Sequence, residues 1–539
     1  MQVLEQSLDE IDPNAMILPP RPFADELVRW YRRRIHSVFP FLHWPSFESK
    51  YRSLWEQKAP PVDRQQAFED LLFLASLNMI LAQACLRNEA MPLPQRQYHA
   101  GEFYKRSLRL ISAEALDTAS IPVVQLLLLR ALYLYFAGRA DRCWLMPGAA
   151  VRVAIGLGLH LAPRRPLNQL DREMRRRVWI TSTIFGRPGV IAPSLSKPPL
   201  PQAIDEEYLS TTHEGRQPDG LPSRIDMIIV SAKLADFLDE MRAAMRAPRL
   251  KIAHGGTEFS IPDPSGLLQL NSKLDELLDG LPAHLRTDAD LSKMTLSEEQ
   301  VQCFRVQSHA IHFRVMLLRV YLLRPSLLAE AQRWTAPNAV TTKTASAMLQ
   351  ERFHHEICSL CLATAHTLLE EVHRRLLASG ELSGWFALTL TFASATVLLV
   401  ATLSPNLGVS LDVEPTKSSW DRAMAIIEFH KPHVASAARG IEVLRRFRES
   451  IAQRAAARSA SVYETRESRL YPPHLNQEQQ HVQHAQQTWQ PSQSMPTPPL
   501  IEGAALMEEG FDEFLASDSL DEAWLSAQDF GQSDWILDY

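Results

Sequence analysis

The side chains in this sequence whose types and spacing could do chemistry begin with Cys358-x-x-Cys361, preceded by His354 and His355. Sulfur and imidazole ligands suit a structural zinc ion, but four must converge tetrahedrally, and such spaced pairs usually lie on turns. Here the cysteines stand inside Ile357-Cys-Ser-Leu-Cys-Leu-Ala363, which reads as unbroken helix. They are therefore expected in a core, and no metal ligand is assigned. His309-x-x-His312 and His430-x-x-His433 lack an adjacent Glu or Cys partner and read as ordinary helix histidines. Gly156-x-Gly158 lacks the third glycine and the preceding strand of a dinucleotide loop. There is no Walker A sequence, no Gly-x-Ser-x-Gly elbow and no His-Glu-x-x-His, and carboxylate pairs such as Asp239-Glu240 lie among other helical charges. Catalysis is left without a candidate residue, so neither an enzyme activity nor a cofactor is assigned.

A different chemistry occupies the far end of the chain. Ile501 to Tyr539 holds eleven acidic residues and no Lys or Arg, so the net charge of -6 leaves the remainder at +5. Among those acids stand Phe511, Phe514, Leu515, Trp524, Leu525, Phe530 and Trp535. Mutual repulsion keeps such apolar side chains in water, ready to fold into a groove on a partner. This is the composition of an acidic activation region that engages transcriptional coactivators. The blander alternative is a tail helix docked on its own domain. Residues 455–500, rich in Gln, Pro and Ser, bury too little apolar surface to order themselves and read as a disordered linker.

The elements that must position everything else are helices. Apolar residues recur at helical spacing from Ala24, through Ala67–Asn88, Tyr98–Ser112, Val123–Phe136 and Ile225–Met245, and again over Ser297–Leu323, Gln350–Leu377, Trp385–Leu403 and Ser419–Phe447. Pro432 is expected to kink or interrupt the last of these. The leucines at 267, 270, 274, 277, 278 and 281 form the clearest stripe. No run of period-two strand pattern separates the helices, so the expected class is all-α. Residues 1–22, polar and Pro-rich and ending in Leu18-Pro-Pro-Arg-Pro22, read as a disordered lead-in and lack the basic-then-apolar order of a secretory signal. Arg29, Arg32, Arg33 and Arg34 could displace counterions from phosphates, though a solvated helix face explains them as well. The uncharged stretch Gly384–Leu403 is long enough to cross a bilayer, but its five Ser and Thr residues and unbiased flanks favour a buried helix, so no membrane is expected. The five cysteines are scattered in apolar helical surroundings and read as reduced core residues of an intracellular protein.

The order of three motifs is also informative. An apolar helix ending in Gly156-Leu-Gly-Leu-His160 is followed by a Pro-containing loop and then Glu173-Met-Arg-Arg-Arg-Val-Trp179. Ahead of it lies Phe39-Pro-Phe-Leu-His-Trp-Pro-Ser-Phe47, and after it Tyr321-Leu-Leu-Arg-Pro-Ser326. Together they resemble the fungal-specific transcription factor domain, the regulatory middle region of Zn2Cys6 binuclear-cluster proteins. The resemblance implies a large helical regulatory domain over residues 23–454, ahead of the 455–500 linker and the 501–539 activation region. It implies structural roles for Phe39, Pro40, His43, Pro45, Phe47, Arg176, Arg177 and Trp179, with Gly156 and Gly158 allowing close helix approach and Trp179 a core anchor. Lys197-Pro-Pro-Leu-Pro201 with Asp205, Glu206 and Glu207 resembles the family's Leu-Pro and acidic loop. After Trp179 the chain departs from the pattern: Thr181–Phe185 leads straight into Gly186-Arg187-Pro188, about ten residues early. Family members bind zinc through six N-terminal cysteines, and no such cluster exists in these residues, so DNA contact is expected directly or through a partner. The function implied is a nuclear activator of RNA polymerase II transcription of a metabolic or secondary-metabolite gene set. A homo- or heterodimer and a small-molecule effector belong to the same expectation. The alternatives are a coregulator or dimerisation partner without its own DNA binding, and a helical enzyme.

Overall fold

The structure, a computed structural model, describes residues 13–56, 63–88, 91–111, 119–137, 145–185, 198–246, 250–254, 257–261, 263–335, 345–379, 384–432, 434 and 437–470. The helices are α1 (Arg21–Tyr31), α2 (Trp44–Ser53), α3 (Arg64–Arg87), α4 (Leu93–Leu110), α5 (Ile121–Phe136), α6 (Leu145–Gly156) and α7 (Gln169–Phe185). They continue as α8 (Asp226–Arg246), α9 (Pro264–Asp279), α10 (Glu298–Thr335), α11 (Ala345–Ser379), α12 (Gly384–Ala401), α13 (Thr416–His430) and α14 (Ala437–Leu470). Prolines open several of them: Pro22, Pro45, Pro94, Pro122 and Pro264 stand in first turns, where the missing N–H has no intrahelical partner to lose. Side-chain caps open others, as where Asp63 accepts from the Gln66 N–H at 2.8 Å.

Two helices are apolar on every side. Val123 to Phe136 of α5 is buried at nearly every position, and so is α12 from Phe386 onward. A helix with no polar face must be enclosed all round. α5 lies against α3, α6 and α7, while α12 is surrounded by α10, α11 and α13. Between these two groups run α7, packed on α6 and α8, and α8, packed on α10. Among the described residues α3 alone is long and apolar enough to cross a membrane, and most of it is buried in the bundle. Arg130, buried on α5, donates to the carbonyls of Ser107 at 2.8 Å and Ile111 at 2.9 Å, at the end of α4. Burial pushes its pKa down to about 10, so it remains charged at neutral pH.

The all-α reading holds, with one small exception among the described residues. Strands β1 (Leu250–His254) and β2 (Thr257–Ile261) pair antiparallel, from Leu250 opposite Ile261 to His254 opposite Thr257. Five residues per strand is too short a run to stand out between helices. The helix expected to end at Leu323, ahead of Pro325, instead continues as α10 through that proline to Thr335. An internal proline costs about 3 kcal/mol. The buried Leu322, Leu323, Leu327, Leu328 and Ala331 on either side offset it. Pro432 does interrupt its helix, in the gap between α13 and α14. Within the lead-in expected to be disordered over residues 1–22, a single turn of 3-10 helix over Pro13–Met16 buries Ala15, and α1 begins at Arg21.

A second compact unit starts at Glu442, and its described part is the run of α14 to Leu470. Helix thus extends past Arg454, where the linker was expected to begin. Ala455, Ala456 and Ala457 are strong helix formers, and the next proline is Pro472. The rest of the expected linker and the whole of 501–539 lie outside the described residues.

The two motif glycines act differently from the close packing expected of them. Among the described residues neither Gly156 nor Gly158 has a neighbour within 4 Å of where a Cβ would sit. Gly158 instead holds φ at +64° and closes α6: its N–H reaches the Ile155 carbonyl at 2.9 Å, and the Leu159 N–H reaches that of Ala154 at 3.0 Å. We therefore expect Gly158→Ala to lower unfolding free energy by about 1 kcal/mol. Gly156→Ala should leave it unchanged or raise it by up to about 1 kcal/mol. Urea denaturation of both variants checks this, and equal losses at both positions would restore the packing explanation.

Candidate functional site: a buried charge cluster beneath the motifs

Beyond α1 the backbone widens into a π turn over Arg32–His36. The wider turn lets consecutive residues Ile35 and His36 both face inward, and both are buried. From there His36 Nε2 meets Glu206 Oε1 at 2.7 Å, joining residues 170 positions apart. The other carboxylate oxygen of Glu206 accepts the backbone N–H of Trp44 at 2.7 Å, in the first turn of α2. Arg177, wholly buried on α7, places Nη1 3.8 Å from Glu206 Oε1 and donates through Nη2 to the Ile204 carbonyl at 2.6 Å. One carboxylate thus ties together the end of α1, the start of α2, and α7.

Its electrostatics follow from that partner set. Burial alone would raise the Glu206 carboxyl, but His36, Arg177 and the Trp44 N–H together overcome it and push its pKa down to about 2. Burial lowers the pKa of Arg177, while Glu206, Glu173 and Asp205 oppose the shift. His43, half-buried at the residue before α2, places Nδ1 2.7 Å from Ser46 Oγ and Nε2 3.4 Å from the Glu206 carbonyl. Burial lowers its pKa too, against the pull of Glu206.

The neighbouring acids are matched one by one. Glu173, one turn before Arg177 on α7, accepts from Arg176 at 2.7 Å and from the Gln202 N–H at 2.8 Å. Asp205 accepts from Ser223 Oγ at 2.9 Å and from the Arg224 N–H at 2.8 Å, and the Arg224 guanidinium bridges it to Glu207. Burial lowers the Arg224 pKa, but Asp205 and Glu207 more than reverse it and leave it raised. Gln307, buried on α10, then donates to the Ser37 carbonyl at 2.7 Å and the Arg224 carbonyl at 3.0 Å. Gln169 closes the loop's far side by accepting from the Gly215 N–H at 2.8 Å and donating to its carbonyl at 2.9 Å. The two backbones there are so close that a Cβ on Gly215 would sit 1.8 Å from the Tyr208 oxygen.

Both Glu206 oxygens are taken, and the arrangement positions segments instead of transforming a substrate. Of the residues singled out from the sequence, it brings together His43, Arg176 and Arg177. Phe39, Pro40 and Phe47 are buried beside the cluster, Pro45 is exposed in the first turn of α2, and Trp179 is buried with its ring 5.6 Å from that of His160. Gly186, Arg187 and Pro188 lie outside the described residues, as do Phe511, Phe514, Leu515, Trp524, Leu525, Phe530 and Trp535. Glu173 and Arg177 are fully buried despite their charges, because the 201–217 loop supplies partners for both. Sequence reasoning missed His36, Glu173, Asp205, Glu206, Arg224 and Gln307 as members of the cluster. The acidic triplet was visible, but its burial was not.

The remaining candidates resolve into structural residues. Arg32 lies over the Trp44 ring at 5.7 Å and Arg33 faces Glu299 at 3.7 Å, so part of the basic run is spent on the fold. Cys358 and Cys361 are buried on α11, and burial pushes both thiols up, Cys361 to about 12. Among the described residues no group of three or more His, Cys, Asp or Glu is placed to hold a metal ion. His312 pairs with Glu371 at 3.0 Å.

Fold and cluster define a helical domain whose buried ions hold its own segments in register. The chain belongs to the fungal specific transcription factor domain family, whose model matches residues 28–385. It is 24% identical over 436 residues to the sorbicillinoid biosynthetic cluster transcription factor sor3 of Hypocrea jecorina, covering 79% of this chain and 59% of that protein. It is 24% identical over 427 residues to sorbicillinoid biosynthetic cluster transcription factor 2 of Penicillium rubens, covering 77% of this chain and 58% of that protein. A Neurospora crassa relative, transcriptional activator protein acu-15, is 26% identical over 288 residues, 51% of this chain and 29% of that one. The chain thus spans under three fifths of the length of these relatives. The family and these relatives are transcription regulators and not enzymes.

The depressed Glu206 pKa makes stability depend on pH with a defined sign. The contribution is fully present above the ordinary carboxyl value of 4.5 and is lost as pH falls toward about 2. Glu206→Gln, which leaves Arg177 buried without its counter-charge, is expected to cost roughly 3–5 kcal/mol at neutral pH. It should also flatten the acid limb of the stability profile. Urea denaturation between pH 2 and pH 6 measures both; an unchanged acid limb in the variant would show that other carboxylates carry the effect.

Proposed function

We propose that this chain is the regulatory portion of a nuclear transcription factor that activates RNA polymerase II transcription of a metabolic or secondary-metabolite gene set. The observation that carries the reading is the family match over residues 28–385. Two relatives carrying the name of a biosynthetic cluster's transcription factor favour a secondary-metabolite target. The bundle supplies a rigid body, and residues 501–539 supply the activating chemistry. Their acids keep Trp524 and Trp535 hydrated until a coactivator groove takes the apolar side chains. DNA is reached directly or through a partner. A small metabolite held between helices would be the signal that frees or orients the tail.

Fusing residues 501–539 to a heterologous DNA-binding domain in a fungal reporter strain tests the activating step. Strong induction is expected, falling at least about tenfold when Trp524→Ala and Trp535→Ala are combined, because aromatic anchors dominate such interfaces. No induction from the intact segment would contradict activation and leave a coregulator.

A further inference from the structure

Helix α11 has a conventional inner face and an unconventional outer one. Inward, Ile357, Cys358, Cys361, Ala365 and Leu368 are buried. Outward, over the first half of the helix, Ala345, Leu349, Leu360 and Ala363 are exposed at helical spacing, with Phe353 half-buried beside them. Leu349 is 69% exposed, Leu360 41% and the adjoining Met348 48%. Single exposed apolar residues are ordinary, but several gathered on one helix face mark an interaction surface. Between the two leucines the stripe carries Arg352 and Glu356, both exposed and neither ion-paired to any described residue.

The order of these residues says what would cover them. Arg352 and Glu356 stand at equal distances on either side of position 354, as do Ala345 and Ala363, and Leu349 and Leu360 stand within one residue of doing so. A helix face that reads the same from both ends in size, with its positive and negative charges exchanged, is complementary to itself when inverted. That is the requirement of a two-fold interface, in which residue i of one copy meets residue j of the other and j meets i. We propose that this face of α11 binds a second copy of the chain, its α11 running antiparallel. Leu349 of each copy packs on Leu360 of the other, and Arg352 of each pairs with Glu356 of the other. The small Ala345 and Ala363 let the helix ends approach. The seam extends about 28 Å at 1.5 Å per residue. An interface of that size is at the small end of specific ones, so dimerisation depends on concentration.

Sedimentation of the full chain from about 1 µM to about 100 µM tests this. The wild type is expected to pass from monomer to dimer across that range, and Leu349→Asp to raise the dissociation constant at least about tenfold with an unchanged circular dichroism spectrum and melting temperature. Arg352→Glu alone and Glu356→Arg alone each set like charges opposite one another and should weaken self-association by about tenfold. Mixed in equal amounts, the two charge variants should recover a heterodimer of near wild-type affinity, which only pairing between these two positions across copies produces. A wild type monomeric throughout, a dimer whose affinity ignores all three substitutions, or a mixture that stays monomeric would overturn the proposal. The charge variants keep the test valid should Leu349→Asp disturb folding.

Discussion

A buried carboxylate sits at the junction of three segments, and the rest of the domain is arranged so that it can be there. Removing an ion from water costs several kcal/mol even after relaxation. Glu206 recovers that cost only because His36, the Trp44 N–H and Arg177 all reach it at once. The cost makes the cluster a register device. Any slip of the α1–α2 corner or of α7 leaves a buried charge uncompensated, whereas a slip of apolar surface over apolar surface is penalised far less. Apolar burial in α5 and α12 supplies the stability, and the charges select one arrangement among the many that such burial would allow.

The surrounding structure can be read as support for that selection. The π turn brings His36 inward, Glu206 accepts the Trp44 N–H where α2 starts, and the repeated one-turn spacing of Gln169, Glu173 and Arg177 aims three polar groups of α7 at one loop. Gly215 permits the backbone approach on which the Gln169 contacts depend. Gln307 extends the same logic to α10, linking the first helices to the long central one through two backbone carbonyls. A domain built in this way has a connected path of polar contacts from its N-terminal corner to its centre.

Much of the scaffold was legible in the sequence because its causes are local. Prolines in first turns, the interruption at Pro432 and the unbroken apolar runs of α5 and α12 each announce a helix boundary or a buried helix from a few adjacent residues. The motif order announced the family. The centre of the site was not legible, since Glu206 looks like a loop acid and its partners at positions 36, 44 and 177 are distant in sequence. Charge patterns assign such residues to solvent by default. Gly215 was passed over for the same reason, while Gly156 and Gly158 drew attention by their motif although only the second is required by its backbone. The continuation of α10 past Pro325 shows tertiary burial overriding a local breaker.

The central claim is that Arg177 and Glu206 act as one unit across α7 and the 201–217 loop, and a double-mutant cycle tests it most directly. Unfolding free energies of Arg177→Met, of Glu206→Met and of the doubly substituted chain would be compared at neutral pH. If the pair is the register device, the double substitution costs less than the two single costs together, by on the order of 2 kcal/mol, because the second change removes the charge that the first left stranded. Additive costs, agreeing within about 0.5 kcal/mol, would contradict it.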